Sequence, residues 1–204
     1  MGNETAATAT TGRPAAVISP QFTRGIEKLG MALFIAAETM FFAGLISAYL
    51  VFRAGNPDWP PAGQPRLPVA STAFNTLILL LSAFFCHRAV GTRRNGHPKS
   101  SAYWLGLTGV FGLFFLVLQG REWIRLVQFG LTLTSSVYGA LFYLIVGIHG
   151  LHVLAGVAVL FFVLKRSANG RYPADSHLAV ELARTYWTFV VGLWPVLYVL
   201  VYLL

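Results

Sequence analysis

Residues 137–164 read VYGALFYLIVGIHGLHVLAGVAVLFFVL, with no Asp, Glu, Lys or Arg and only His149 and His152 as basic side chains. A hydrocarbon core of about 30 Å is crossed by roughly 20 helical residues, each rising about 1.5 Å. The 28 residues therefore span a bilayer with length left for tilt or for an end in water. They show no strict alternation, which the roughly ten-residue strands of a membrane barrel require. Working outward, four more segments read the same way. Leu29–Phe52 is interrupted only by Glu38. Leu67–Cys86 is uncharged, and its Pro68 suits a first helical turn. Tyr103–Gly120 is also uncharged and is expected to continue past Arg121 and Glu122. Thr185–Leu204 carries Pro195, an expected kink. The expected fold class is all-α: a polytopic membrane bundle of five transmembrane helices over residues 29–204. Met1–Lys28 lacks the apolar core of a cleavable signal and is expected to be a mostly disordered tail.

Composition agrees. The chain has 204 residues, 56% hydrophobic and 11% charged, where soluble domains run near a quarter charged. Mean hydropathy is +0.65. A lone cysteine, Cys86, excludes an internal disulfide framework. The net charge of +8 is explained by where the basic residues fall, without nucleic acid. With five helices, the tail, the second loop and the fourth loop share one side, which carries eleven Lys and Arg residues against four on the other. The positive-inside rule then makes the N-terminus cytoplasmic and the C-terminus external, in a membrane expected to be the bacterial plasma membrane.

Few residues could carry chemistry. Glu38 sits near mid-bilayer, where an ionised carboxylate is costly, so it is expected to be neutral or hydrogen-bonded inside the bundle. It reads as a proton site, an ion site or a structural anchor between helices. His149 and His152 lie on nearly one face of their helix. Heme ligation would need a histidine at similar depth on another helix; His87 lies at a helix end, and His97 and His177 fall in loops. A metal held by Glu38, His149 and His152 would lack further carboxylates or a thiolate. The better reading is that one of the two histidines, His152 before His149, bonds Glu38 across a helix interface. Gln119, Glu122 and Trp123 form a polar cluster suited to the outer membrane interface, with Glu122 pairing Arg121 or Arg125. Gly106, Gly109 and Gly112, and Gly147, Gly150 and Gly156, permit close helix approach. No nucleotide loop or nucleophile elbow occurs. A stand-alone membrane cytochrome and a proton-coupled transporter are the alternatives from other classes; a transporter would carry an inverted repeat, which five unequal segments do not show.

Five motifs, in order, resemble subunit III of the heme–copper terminal oxidases. Ala37-Glu38-Thr39-Met40-Phe41-Phe42-Ala43-Gly44 is similar to that family's Ser-Glu-x-x-Phe-Phe-Ala-Gly. Asn75-Thr76-Leu77 opens the second helix as in the family, and Gln119-Gly120-Arg121-Glu122-Trp123 resembles its Gln-x-x-Glu-Trp/Tyr. Gly147-Ile148-His149-Gly150-Leu151-His152-Val153 is similar to Gly-Phe-His-Gly-x-His-Val, and Tyr186-Trp187 with Trp194 echoes the last helix. Thr188 and Val191 depart from the family, standing where it has histidine and aspartate. The resemblance is to the five-helix form. It implies an accessory subunit of a proton-pumping oxygen reductase with no catalytic residue, metal or redox cofactor of its own. Heme and copper would reside in partner subunits. It further implies packing against subunit I, beside subunit II, supercomplex partners, bound structural phospholipid with Arg166 on its phosphate, and support of proton uptake and turnover. Cytochrome c oxidase, quinol oxidase and a nitric-oxide-reductase accessory protein all remain open.

Overall fold

The structure is a computed structural model that describes residues 20–61, 63–168 and 177–204. Five helices follow in order: α1 Pro20–Ala54, α2 Val69–Arg94, α3 Pro98–Gln128, α4 Val137–Ala168 and α5 Leu178–Tyr198. All five are long and apolar enough to cross a membrane, and among the described residues there is no strand. The tail expected over 1–28 falls mostly outside the described residues. From Pro20 onward it is corrected: α1 is already helical well before Leu29. Proline suits a first helical turn, and no further proline follows in this helix to break it. α3 runs through Arg121 and Glu122 to Gln128, as its sequence suggests. Pro195 does not interrupt α5, but the chain after Tyr198 widens into a π-wound turn, Val199–Leu203. A proline has no N–H to return to the carbonyl four residues back, so winding adjusts nearby.

The α2–α3 connection shows how local sequence reverses the chain. His97 N–H bonds the Thr92 carbonyl and Gly96 N–H bonds that of Arg93, at 3.0 and 3.1 Å. This double bond pattern needs a left-handed residue at its centre. Gly96 supplies it at φ +76°, and Pro98 starts α3 at once.

α2, α3, α4 and α5 pack in a ring, each against its two neighbours, while α1 leans on α4 and α5. Of the most apolar window of α1, 6% of residues are buried; the other four helices bury 33–44%. The ring closes around Trp187 of α5, which is fully buried. Its indole lies against Gly112 of α3 and Gly156 of α4, and its Nε1 donates to Ser82 Oγ of α2 at 3.1 Å. Seven residues on, Trp194 Nε1 donates to Thr76 Oγ1 of α2 at 2.9 Å.

A Cβ at Gly112 would stand 2.7 Å from the Trp187 ring, and one at Gly156 would stand 2.8 Å from it. Gly112→Ala and Gly156→Ala are therefore expected to destabilise the bundle by about 1–3 kcal/mol through overpacking. Gly44→Ala and Gly120→Ala, where a Cβ meets nothing within 4 Å, should be neutral or mildly stabilising. Thermal unfolding of the four variants in detergent checks the contrast; equal loss at all four positions would refute it.

Candidate site: an intramembrane carboxyl–imidazole pair and its surroundings

α1 meets the bundle along one stripe. Met31, Ile35, Glu38, Phe42, Leu45 and Tyr49 are buried or half-buried at alternating spacings of four and three residues. That spacing is the narrow seam of a helix packed on one side only. Glu38 sits mid-stripe, and its Oε2 lies 2.9 Å from His152 Nε2 of α4, with both side chains 19% exposed. His152 Nδ1 lies 2.8 Å from the Ile148 carbonyl. A carbonyl only accepts, so Nδ1 carries a proton. Nε2 therefore either accepts from a neutral carboxyl or, protonated, donates to a carboxylate. In both forms the pair shares one proton and has no net charge, which suits it to mid-bilayer. Tyr186 of α5 donates to the His152 carbonyl at 3.2 Å, and Phe42 meets the His152 ring edge-on at 5.1 Å. One level of the membrane thus ties α1, α4 and α5 together.

His149, the second candidate partner of Glu38, is corrected. It makes no bond to Glu38 and is fully buried in the ring of helices. It stacks on Trp194 at 4.9 Å and meets Phe115 edge-on at 6.4 Å. Three residues turn a helix through 300°, so only His152 reaches Glu38, while His149 meets α1 through the Phe42 ring at 6.5 Å. Both ring nitrogens of His149 are without a partner among the described residues. Val191, standing where the family has aspartate, lies three residues before Trp194 on the same side of α5 and is 1% exposed. A 340 Å³ cavity between α3 and α4 borders His149, Gln119, Trp123, Gly147 and Gly150. Thr188, at the family's histidine position, lies 3.4 Å from His87 of α2. Among the described residues no three His, Cys, Asp or Glu side chains converge.

Gln119, Glu122 and Trp123 do not form one cluster, because successive helical residues diverge by about 100°. Glu122 accepts from Arg125 at 3.3 Å on an exposed face. Trp123 turns toward α4, against Gly150 and 6.2 Å from the Tyr143 ring, with its Nε1 buried and without a partner among the described residues. Gln119 points inward: it accepts from Asn75 Nδ2 and donates to Tyr202 Oη, both at 3.0 Å. Sequence reading did not anticipate this three-helix polar link, nor the hydroxyls of Thr76 and Ser82 as indole acceptors. Their one visible signal was uncharged polar residues within apolar runs. Arg166 is exposed at the end of α4, its guanidinium 5.6 Å above the Phe162 ring.

Glu38→Gln keeps an amide that donates to neutral His152, so it should hold α1 near normally. Glu38→Ala should lower stability by about 1–3 kcal/mol by stranding the imidazole. A second expectation concerns the orphaned ring. Val191→Asp should cost less beside His149 than in a His149→Leu background, by at least about 1 kcal/mol of coupling. A double-mutant cycle of thermal stabilities measures it, and additive costs would show that the two positions do not communicate.

The motifs dispersed along the chain are partners in space. Glu38 meets His152, Asn75 meets Gln119, Thr76 meets Trp194, and Tyr186 meets His152. Comparison with known proteins points the same way. The family model of cytochrome c oxidase subunit III matches residues 12–204. A cytochrome c oxidase subunit 3 from Synechocystis sp. is 39% identical over 88% of this chain and 76% of its own length. A probable cytochrome c oxidase subunit 3 from Mycobacterium leprae is 35% identical over 85% and 86%, respectively. The subunit 3 of Thermostichus vulcanus is 34% identical over 86% of each. With those residues paired across its helices and the match running through nearly the whole chain, this protein belongs to the cytochrome c oxidase subunit III family of the heme–copper oxidases.

Proposed function

We propose that this chain is the accessory, non-redox subunit of a proton-pumping oxygen reductase, most directly cytochrome c oxidase. It packs on subunit I beside subunit II, in the bacterial plasma membrane with its N-terminus cytoplasmic. Heme and copper in those partners supply the electron transfer and oxygen chemistry. The observation that carries the reading is the neutral Glu38–His152 pair. It holds a weakly buried α1 to the bundle and leaves broad apolar faces, among them Phe74, Leu77, Leu81 and Phe84 of α2, for partners and lipid. Glu38 thereby serves as an anchor whose proton need not leave the pair.

Phospholipid is the second part of the reading. A 460 Å³ trough between α1, α4 and α5 is lined by Met31, Phe34, Val159, Phe162, Leu182 and Tyr186. Phe162 forms part of the trough wall and also underlies the Arg166 guanidinium. A phosphate on Arg166 thus places an acyl chain in the trough, and guanidinium fork geometry suits phosphate.

Purification under mild detergent tests the assignment: heme and copper spectra should accompany the complex. Stoichiometric heme in the isolated chain, lost in His149→Ala, would overturn it. In the assembled complex, Glu38→Gln should retain its proton-to-electron ratio in vesicles; loss of pumping there would sink the anchor role. Arg166→Ala should start at a near-normal rate and decay sooner during turnover, with one fewer phospholipid retained.

A further inference from the structure

We propose that a second pocket, at the basic end of the bundle between α1, α2 and α5, binds the phosphate of an anionic phospholipid, separately from Arg166. The pocket measures 260 Å³, and Lys28, Arg94, Glu181 and Arg184 supply its charges. Glu181 is its single carboxylate and is already committed. Lys28 Nζ lies 3.2 Å from one oxygen, and Arg94 donates to the other through Nε at 3.1 Å and Nη2 at 2.9 Å. That leaves Arg184, a half-buried guanidinium with no carboxylate within ion-pair distance among the described residues. Three cations thus face one acid.

Arg184 stands six residues into α5, about 9 Å along the helix from its start. A half-buried charge is costly unless it is paired or reaches an anion. The chemistry that completes the pocket is a single negative group held by a guanidinium fork and two further cations. Met31, Ala32, Leu182 and Thr185 form the rest of the wall, which is mostly apolar, so the occupant is apolar beyond its charge. That describes a lipid better than free phosphate or an acidic protein segment. The excess positive charge also selects among lipids, because a zwitterionic headgroup would bring a cation of its own toward three others.

The test is native mass spectrometry of the membrane-extracted, delipidated protein with its co-purifying subunits. It is titrated with phosphatidylglycerol or with phosphatidylcholine of the same acyl chains. The wild type should retain phosphatidylglycerol in preference. Arg184→Gln, which leaves the Lys28–Glu181–Arg94 contacts in place, should weaken that retention about five-fold without affecting phosphatidylcholine. Arg184→Lys, which keeps the charge, should stay near wild type and shows whether the Gln variant is merely misfolded. Arg166→Gln should leave this lipid bound, so the result does not depend on the trough beside Phe162. Equal retention of the two lipids, or no effect of Arg184→Gln, would overturn the proposal. So would displacement by inorganic phosphate alone, loss of a polypeptide instead of a lipid in Arg184→Gln, or loss of the same lipid in Arg166→Gln.

Discussion

One indole organises the bundle. Inside a bilayer, helices gain nothing from leaving lipid for one another by the hydrophobic effect, so close packing and interhelical hydrogen bonds must hold them. Trp187 does both. Its ring fills the space that glycine leaves on α3 and α4, and its N–H reaches a hydroxyl on α2. A single side chain of α5 thus touches every other helix of the ring. The next contacts follow in register toward the far end of the bundle: Trp194 on Thr76, then Tyr202 on Gln119, which in turn is bonded to Asn75. The last helix is fastened by a ladder of aromatic donors and acceptors spaced about two turns apart.

α1 obeys a different rule. It contributes little to the buried interior and is attached by polar contacts that include the Glu38–His152 pair at mid-depth, Lys28–Glu181 at the basic end and Arg53 on the Leu204 carbonyl at the other end. The first has no net charge in either protonation arrangement and therefore belongs in the membrane. The second is a surface pair of modest strength. Apolar and basic pockets flank α1 on its two sides, meeting at Met31 and Leu182. The two grooves beside this lightly held helix are where the proposed function and the further inference place phospholipid.

The interior also carries unspent polarity. His149, Trp123 Nε1 and Asn75 Oδ1 are buried without partners among the described residues. Thr188 and Val191, which depart from the last-helix motif that the chain otherwise resembles, lie on α5 near Trp187 and Trp194. The His149 ring is held by its stack on Trp194 and by edge contacts to Phe115 and Phe42.

Five membrane-crossing helices were legible in the sequence because hydrocarbon imposes length and polarity on each segment independently of its neighbours. The turn at Gly96-His97-Pro98 was equally local. The separation of basic residues to one side also follows from their places in the sequence and the number of crossings. The partnership of Glu38 with a histidine was legible as a need, since a lone acid in a bilayer must be neutralised. Which histidine met it, and why His149 instead turned into the ring, depended on the angle at which α1 leans on α4. The division of Gln119, Glu122 and Trp123 among three environments, the seat of Trp187 between two distant glycines and the basic pocket around Arg184 were likewise decided by tertiary packing. Each brings together residues from separate helices, and the period of one helix says which side a residue is on but not what stands opposite.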